Sequence, residues 1–366
     1  MKIAFIASRN ISEIGGIENY MANLCPILVE KGHKIILYTE RSKDKLYNYK
    51  GVEIITFKSV KSKFFNKIIL GLKSTLNVIF KQKNVDLIHY NAMAAGLSSF
   101  IPILLRKKVI LQMYGIEWQR RKWTSLSKIV KILEHFVIKI NKNIIVVSQE
   151  QNKYIFDKFK KSSSVIYPAT DISVINTNTR ILEKFNLETD KYILFVGRLV
   201  EEKRADILIK AFNGIKIGNI NLVIAGGEKY SNKYIAFLKK QAENNKNIIF
   251  TGNVFNDDKS TLFNNCLFYC TPSELEGLPI TLIEAMAHRK TCLVSNIQPH
   301  KEALGENGIF FEKNNIKDLQ DKLEDLINNN ELKQLGELNY LRVKQNFTWD
   351  LISGKYEQYC NNVLQK

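Results

Sequence analysis

Two successive series of short β-rich runs, alternating with longer amphipathic segments, occupy most of this 366-residue chain. This alternation is typical of parallel sheets covered by crossover helices. A polar stretch around 176–179 separates the two series, and the length suits two domains that each bury a core. We therefore expect an α/β protein with two doubly wound, Rossmann-like domains facing across a cleft. Their expected bounds are 1–172 and 173–345, with a final helix over 346–366 that crosses back to the first domain.

The strand positions are predicted from the β-rich runs. In the first domain they are 2–7, 35–39, 52–57, 85–90, 109–113 and 143–148, and in the second 192–196, 222–225, 247–250, 267–270, 291–295 and 309–311. Gly32 follows a helical segment and is expected at the position just past its C-terminus. Ligands of doubly wound sheets bind beyond the carboxyl ends of the strands, so the loops after strands are expected to carry the functional residues.

The positive charge of the chain is concentrated in its first half. The net charge is +18, and residues 1–172 hold 29 Lys and Arg against 12 Asp and Glu. Such an asymmetry indicates a polyanionic partner, either an anionic membrane surface or nucleic acid. The segment 58–83 contains seven lysines and no acid. It is expected either to be an amphipathic crossover helix packed on the sheet or to dock on a membrane. The residues expected on that membrane face are Lys61, Lys63, Lys67, Arg120, Arg121 and Lys122.

The cysteines and the N-terminal residues indicate the cellular compartment and whether a metal site is expected. Five cysteines, an odd number without metal-ligand spacing, indicate a reduced cytoplasmic compartment and no metal site. The opening apolar run is too short for a secretory signal and is expected to form the first strand. No apolar run is long enough to span a membrane. We therefore expect a cytoplasmic protein, bound peripherally to the inner face of the cytoplasmic membrane.

The segment 273–287 has the composition of a ligand-binding strand-to-helix connection. It places Glu276 in a loop, Pro279 at the expected helix start and Glu284 about two turns along that helix. Both carboxylates are suited to accept hydrogen bonds from sugar or ribose hydroxyls. By pattern alone, two solvated acids are an equally good interpretation.

Two further loops follow predicted strands. Arg198 and Lys203 lie after the strand at 192–196, where cations can hold a diphosphate, although such residues are usually ordinary surface cations. Gly15 and Gly16 end the first strand-to-helix loop, where absent side chains permit close approach of a phosphate or a sugar.

The E-G-x-P-x-x-x-x-E-A run that begins at Glu276 resembles the glutamate pair of the retaining, GT4-type group 1 glycosyltransferases, which have the GT-B fold. Other segments similar to that family are 15–18, 166–171, 195–203, 224–227 and 250–254. The resemblance implies that Glu276, Gly277 and Leu278 bind the transferred sugar, that Glu284 binds ribose and that Val254 contacts the base. It also implies roles for Gly197, Arg198 and Lys203 at the diphosphate. The donor would be a UDP-, GDP- or dTDP-sugar, with no cofactor and no metal.

The stretch 112–123 resembles the H-G-I-E-W-type segment of a bacterial subgroup that includes rhamnosyltransferases. Tyr114 stands where the family has a histidine that approaches the transferred sugar. A tyrosine can donate a hydrogen bond but does not titrate near neutrality. Glu117 and Trp118 are expected to support this loop or an acceptor pocket, or to have a packing role.

The expected activity is transfer of a hexose or deoxyhexose, with retention, from a nucleoside-diphosphate sugar to a glycan or a lipid-diphosphate-linked acceptor in surface polysaccharide synthesis. The donor phosphate is implied as the proton acceptor. Three alternatives remain at this stage: a sugar-nucleotide 2-epimerase on the same fold, a basic nucleic-acid-binding protein, and a non-catalytic scaffold. No nucleic-acid-binding signature is present, so nucleic acid is not the expected partner. His89 is expected in the core and His300 on the surface or in a helix, with His300 and Glu302 in a loop near the donor.

Overall fold

A computed structural model of the chain describes residues 1–6, 9–11, 15–41, 47–58, 63–120, 126–172, 178–215, 218–228, 232–328 and 332–365, without the side chains of 63–65. The chain forms two compact units. The first comprises Met1–Pro168 and Trp349–Lys366, and the second Ala169–Thr348. The sequence-based bounds at 172 and 345 differ from these by a few residues.

The first unit contains an eight-stranded sheet. Its strands are β1 (Lys2–Ile6), β2 (Lys34–Glu40), β3 (Asn48–Tyr49), β4 (Val52–Phe57), β5 (Leu87–Asn91), β6 (Val109–Met113), β7 (Ile144–Val146) and β8 (Ser164–Val165). The order is β3-β4-β2-β1-β5-β6-β7-β8. All pairs are parallel except β3 with β4. The central strands β5 and β6 are buried along their whole length and mostly apolar, as expected for a parallel sheet covered on both faces. The sequence did not predict the two-residue strands β3 and β8.

The second unit contains a six-stranded sheet. Its strands are β9 (Tyr192–Val196), β10 (Asn221–Ala225), β11 (Ile248–Gly252), β12 (Phe268–Thr271), β13 (Cys292–Ser295) and β14 (Ile309–Phe311). They are all parallel, in the order β11-β10-β9-β12-β13-β14. Strand order reverses between β9 and β12 here, and between β1 and β5 in the first unit. The prediction of two doubly wound, Rossmann-like sheets is therefore confirmed, and each sheet has a switch point of the kind at which ligands bind.

Helices connect the strands. They are α1 (Gly16–Glu30), α2 (Lys63–Lys81), α3 (Met93–Gly96), α4 (Phe100–Leu104), α5 (Ser127–Ile140), α6 (Gln149–Phe159), α7 (Arg180–Phe185), α8 (Ala205–Asn213), α9 (Asn232–Ala242), α10 (Asn256–Asn265), α11 (Ile280–Ala287), α12 (Gln298–Leu304), α13 (Ile316–Ile327), α14 (Leu332–Asn346) and α15 (Trp349–Gln365). No helix among the described residues is both long and apolar enough to cross a bilayer.

Gly32 ends α1 in the way its sequence position predicts. Its φ is +86°, its N–H donates to Val29 O at 2.9 Å, and the N–H of His33 donates to Leu28 O at 3.0 Å. This pair of bonds is the Schellman motif, which needs a left-handed residue after the helix end. The turn returns the chain to β2.

Helix α15 packs into the first unit although it comes last in the chain. The hydroxyl of Tyr356 lies 2.8 Å from His89 Nδ1 on β5, and its ring stacks on Phe5 of β1. Glu357 pairs with His33 at 2.8 Å. His89 is buried, as its place in an apolar strand predicts, and burial lowers its pKa to about 3. The core of the first unit is therefore built from both ends of the chain.

Candidate functional site

Two loops that follow the neighbouring strands β9 and β12 are hydrogen-bonded to each other at the switch point of the second sheet. The N–H of Glu274 donates to Glu202 O at 2.9 Å. Arg204 bonds Glu274 at 3.3 Å, Asn314 at 2.6 Å and both carboxylate oxygens of Asp206 at 3.0 and 3.1 Å. The sequence did not single out Arg204, whose backbone adopts a left-handed φ of +52° at the start of α8. These bonds fix both loops.

Lys203 and Glu276 form an ion pair between these two loops. Their side chains are 16% and 10% exposed, so most of the pair is shielded from water. Burial opposes ionisation of the Glu276 carboxyl, but the charge of Lys203 and hydrogen bonds from Lys203 and Ser273 outweigh it, and its pKa falls below the usual value. The sequence placed both residues in the site, and the structure brings them together across 73 residues of chain.

His300 lies beneath the Glu276 loop rather than in a surface loop. It lies in a helix, α12, which the sequence analysis allowed, but it is fully buried there, which corrects the expectation of a surface or loop position. Its Nδ1 lies 2.8 Å from the carbonyl oxygen of Ser295, and the hydroxyl of Ser295 bonds the carbonyl of Ser273. Because a carbonyl only accepts, Nδ1 carries the proton and Nε2 is an acceptor. That Nε2 is buried and has no hydrogen-bond partner among the described residues. Burial lowers the pKa of His300 to about 4, so the ring is neutral near pH 7.

Glu284 lies on α11, where the sequence placed it. Its Oε1 accepts from Lys259 Nζ of α10 at 2.7 Å, and the residue is 8% exposed. The other oxygen, Oε2, is buried without a partner in the described part of the chain. Pro279 caps α11, and the buried Leu278 precedes it together with Gly277. This carboxylate therefore retains acceptor capacity for a ligand hydroxyl.

Arg198 extends from the end of β9 into solvent. Its side chain is 43% exposed and approaches Glu228 at 3.5 Å, so most of its N–H donors are available to a ligand. The preceding Gly197 donates its N–H to Ala225 O at 3.0 Å. A Cβ at the neighbouring Gly226, whose φ is +146°, would fall 1.8 Å from Gly197 O, so only glycine fits there. Val254 is half-exposed in the loop between β11 and α10.

In the first unit, the candidate residues follow β1 and β6. Gly15 and Gly16 begin α1, and a Cβ at Gly15 would meet the Glu18 carboxylate. The hydroxyl of Tyr114, after β6, donates to Asn91 Oδ1 at the end of β5 at 2.8 Å. Burial raises the pKa of Tyr114 well above its usual value, so the hydroxyl keeps its proton. Tyr114 thus donates a hydrogen bond to Asn91 in this structure.

Glu117, Trp118 and Arg120 lie in a short turn that packs against α5. Arg120 pairs with Glu117 at 3.0 Å, and Trp118 Nε1 donates to Tyr154 OH at 3.3 Å. The N–H of Glu117 donates to Oε2 of the buried Glu134 at 2.8 Å. Burial raises the pKa of Glu134 to about 8, against the lowering effect of that N–H. The sequence did not single out Glu134.

The remaining predicted basic residues are only partly described. Lys67 lies half-exposed on α2, and α2 begins at Lys63, whose side chain is outside the described set. Lys61, Arg121 and Lys122 lie outside the described residues. Within the described ranges, no group of three or more His, Cys, Asp or Glu side chains is placed to hold a metal ion. The cysteines are free and buried.

Two family models match the chain, one over each of the two series of β-rich runs. The model for glycosyltransferase family 4 matches residues 14–174, and that for group 1 glycosyl transferases matches 177–339. Among curated relatives, an uncharacterized glycosyltransferase of Methanocaldococcus jannaschii is 28% identical over 92% of both chains. The capsular polysaccharide biosynthesis glycosyltransferase CapM of Staphylococcus aureus is 24% identical over 81% of this chain and 82% of its own. The O-antigen biosynthesis glycosyltransferase WbnH of Escherichia coli is 26% identical over 90% and 91%.

Solved structures with the same fold include two with matches over nearly the whole chain. Sucrose-phosphate synthase from Thermosynechococcus elongatus superposes with a TM-score of 0.86 at 17% identity, covering 100% of this chain and 99% of that one. Anabaena HepE, solved in complex with UDP and glucose, superposes with a TM-score of 0.81 at 16% identity, covering 99% and 100%.

Proposed function

We propose that this chain, which belongs to the group 1 glycosyltransferases of family 4 and has the GT-B fold, transfers a hexose or deoxyhexose from a nucleoside-diphosphate donor to a glycan or lipid-diphosphate-linked acceptor. The product keeps the anomeric configuration of the donor. The capsule and O-antigen relatives support a place in surface polysaccharide synthesis.

The observation that carries this proposal is the Lys203–Glu276 pair at the β9/β12 switch point. An ammonium has three donors, and one bond to Glu276 leaves two for phosphate oxygens. The carboxylate has further lone pairs for sugar hydroxyls. One pair of opposite charges can therefore hold the diphosphate and the sugar side by side, on either side of the bond that breaks.

Further donor contacts are assigned to residues in the Glu276 loop, after other strands and on α11. Glu284 would accept from the ribose hydroxyls through Oε2, and Val254 would contact the edge of the base. The amides of Gly277 and Leu278 precede α11, where unpaired N–H groups favour an electron-rich ligand. Gly15 and Gly16 would let the sugar or a phosphate approach the start of α1.

In the reaction, the bond between the anomeric carbon and the phosphate oxygen breaks, and negative charge develops on the departing diphosphate. Lys203 and Arg198 would neutralise that charge, a task for which preorganised cations are effective. A donor phosphate oxygen would take the proton of the acceptor hydroxyl as it attacks the same face. With the charge neutralised by these two side chains, the reaction would need neither cofactor nor metal.

The proposed location is the cytoplasmic face of a membrane, where a lipid-linked acceptor is presented. The excess of basic over acidic residues in 1–172 supports attraction to anionic lipid.

Binding and turnover of a panel of sugar nucleotides test the proposed function. One UDP-, GDP- or dTDP-sugar should raise the melting temperature, because saturation at about a hundredfold excess over Kd stabilises by about 2.7 kcal/mol. Product analysis with that donor should show a new glycosidic bond. Epimerised sugar released without an acceptor, or absence of any nucleotide binding, would contradict the proposal.

A further inference from the structure

Three adjacent helical segments of the first unit carry most of the exposed large apolar side chains in the described chain. On α2 these are Leu72, Leu76 and Phe80; at α4 they are Phe100, Leu104 and Leu105; at α5 they are Leu126, Ile129, Ile132 and Phe136. Helices α2 and α5 both pack against α3 and the turn 97–99, and α2 also packs against α4. The segments thus lie side by side, and we refer to their exposed side as the apolar face.

Helix α5 contributes the most regular part of the apolar face. Leu126, Ile129, Ile132 and Phe136 recur at intervals of three and four residues, which places them along one side of the helix. They are 49%, 56%, 67% and 44% exposed. Contiguous exposed apolar side chains of this kind mark a surface that binds a partner or a membrane.

The charges around the apolar face have one sign. Exposed basic residues in the same segments are Lys73, Lys81, Lys83, Arg106, Lys107, Lys128, Lys139 and Lys142. In 63–83, 100–108 and 126–142 the only acidic residue is Glu134, which is buried. A second copy of the same face would bring like charges together, and nucleic acid would leave the apolar side chains in water. A leaflet of anionic lipid matches both the apolar residues and the lysines.

The inner side of α5 holds the turn that contains Glu117 and Trp118. Glu134 accepts from the Glu117 N–H at 2.8 Å, and Lys131 Nζ lies 4.4 Å from the centroid of the Trp118 ring. This turn follows β6, whose carboxyl end carries Tyr114. One helix therefore joins the apolar face to the loop expected to meet the acceptor.

We propose that the apolar face, centred on α5, inserts into the interfacial region of an anionic membrane and that α5 thereby holds the β6 loop at the membrane surface. This rests on the proposed function for the identity of the acceptor and deepens it by assigning the docking surface. The sequence-based expectation put the membrane contact on the 58–83 segment and on Arg120, Arg121 and Lys122; the apolar face shares α2 with that segment but is centred on α5.

Flotation of the purified full chain with vesicles tests the proposal. The vesicles are phosphatidylcholine alone and phosphatidylcholine mixed with phosphatidylglycerol. The wild type should float with the mixed vesicles. The triple variant Ile129→Gln, Ile132→Gln, Phe136→Gln should lose about tenfold or more in partitioning, because glutamine keeps helix propensity and removes the apolar contact. The variant Lys128→Gln, Lys139→Gln, Lys142→Gln should lose the preference for phosphatidylglycerol.

Matched controls come from the second unit. Phe237, Leu338 and Leu341 have similar exposures of 45%, 41% and 49%, and their replacement by Gln should leave flotation unchanged. Replacement of Lys210, Lys239 and Lys240 by Gln controls for net charge. Far-ultraviolet circular dichroism and the melting temperature verify that each variant is folded.

The outcomes separate docking from catalysis. Equal flotation of the α5 variants and the wild type, or no flotation of the wild type, would overturn the docking surface. A change of mass by light scattering in the α5 variants, without vesicle binding by the wild type, would make the face an interface between copies and would also overturn it. Stabilisation by sugar nucleotides should be the same in all variants. If sugar nucleotides did not stabilise the wild type while it still floated with the vesicles, the proposed activity would be rejected and the docking surface would be retained.

Discussion

Lys259 Nζ lies 2.7 Å from Glu284 Oε1, while Oε2 of the same carboxylate is buried without a hydrogen-bond partner among the described residues. Leaving a buried acceptor unsatisfied costs about 1–3 kcal/mol, which supports the proposed contact of this oxygen with a donor hydroxyl. In that proposal the lysine holds the carboxylate through Oε1 and a donor hydroxyl binds Oε2.

Glu284→Gln should weaken nucleotide binding by about ten- to a hundredfold, because hydrogen bonds to a charged acceptor contribute about 1.5–3 kcal/mol. Isothermal titration with the nucleotide measures the dissociation constant. Glu337→Gln, at an exposed ion pair with Arg289, serves as the control and should bind normally. Unchanged affinity in Glu284→Gln would remove this residue from the site.

Lys203→Met should lower kcat by several orders of magnitude and also destabilise the fold. Removing one partner of a buried pair costs about 3–5 kcal/mol because the other charge stays buried. The double variant Lys203→Met, Glu276→Gln should recover most of the stability and none of the activity. Chemical denaturation and initial rates, measured on the same preparations, check both. A double variant that recovered transfer would reject the diphosphate role of Lys203.

Glu134 should make the first unit less stable as the pH rises. Burial raises the pKa of its carboxyl to about 8 in the folded chain, from 4.5 in the reference state. Between pH 4.5 and about 8 the folded chain keeps a proton on Glu134 that the unfolded chain has released. The free energy of unfolding therefore falls as the pH rises to about 8, and above that value Glu134 causes no further change. Glu134→Gln, which is neutral at every pH and still accepts from Glu117, should abolish this loss. Urea unfolding at about pH 6 and about pH 9 compares the two proteins; parallel pH profiles would contradict the assignment.

Tyr356→Phe should cost about 1–2 kcal/mol by leaving His89 Nδ1 buried without its 2.8 Å bond to the hydroxyl. The control Tyr359→Phe, on the same helix, removes a 3.4 Å contact to the Ile144 carbonyl and an interaction with Ser164, and it should cost less because Tyr359 is less buried than Tyr356. Guanidinium unfolding curves give both values. Equal decreases in the free energy of unfolding of the two variants would show that the hydrogen bond to His89 does not specifically stabilise the packing of α15.

The fold could be predicted from the sequence because its signals are local. Apolar runs of strand length gave the expected strands, and Gly32 marked the end of α1 through its need for a left-handed φ. The two-residue strands β3 and β8 are too short for a periodic signal to appear.

Parts of the candidate site could not be predicted because they depend on contacts between distant segments. The pairing of Lys203 with Glu276 exists only once β9 and β12 lie side by side. Glu134 stands among lysines on an amphipathic helix, a context in which an acid is normally solvated, and nothing local indicates its burial. His300 follows Pro299 in a short helix, and its burial depends on β13 and the Glu276 loop.

The two stretches that build the first unit are separated by the whole of the second, since α15 packs beside β1 and β5. As the chain leaves the ribosome, 169–348 has its full set of strands before α15 has been made. The first unit is therefore the first to be translated in part and the last to have its core complete. Phe5 and His89 gain their contacts with Tyr356 only after the second unit has been translated.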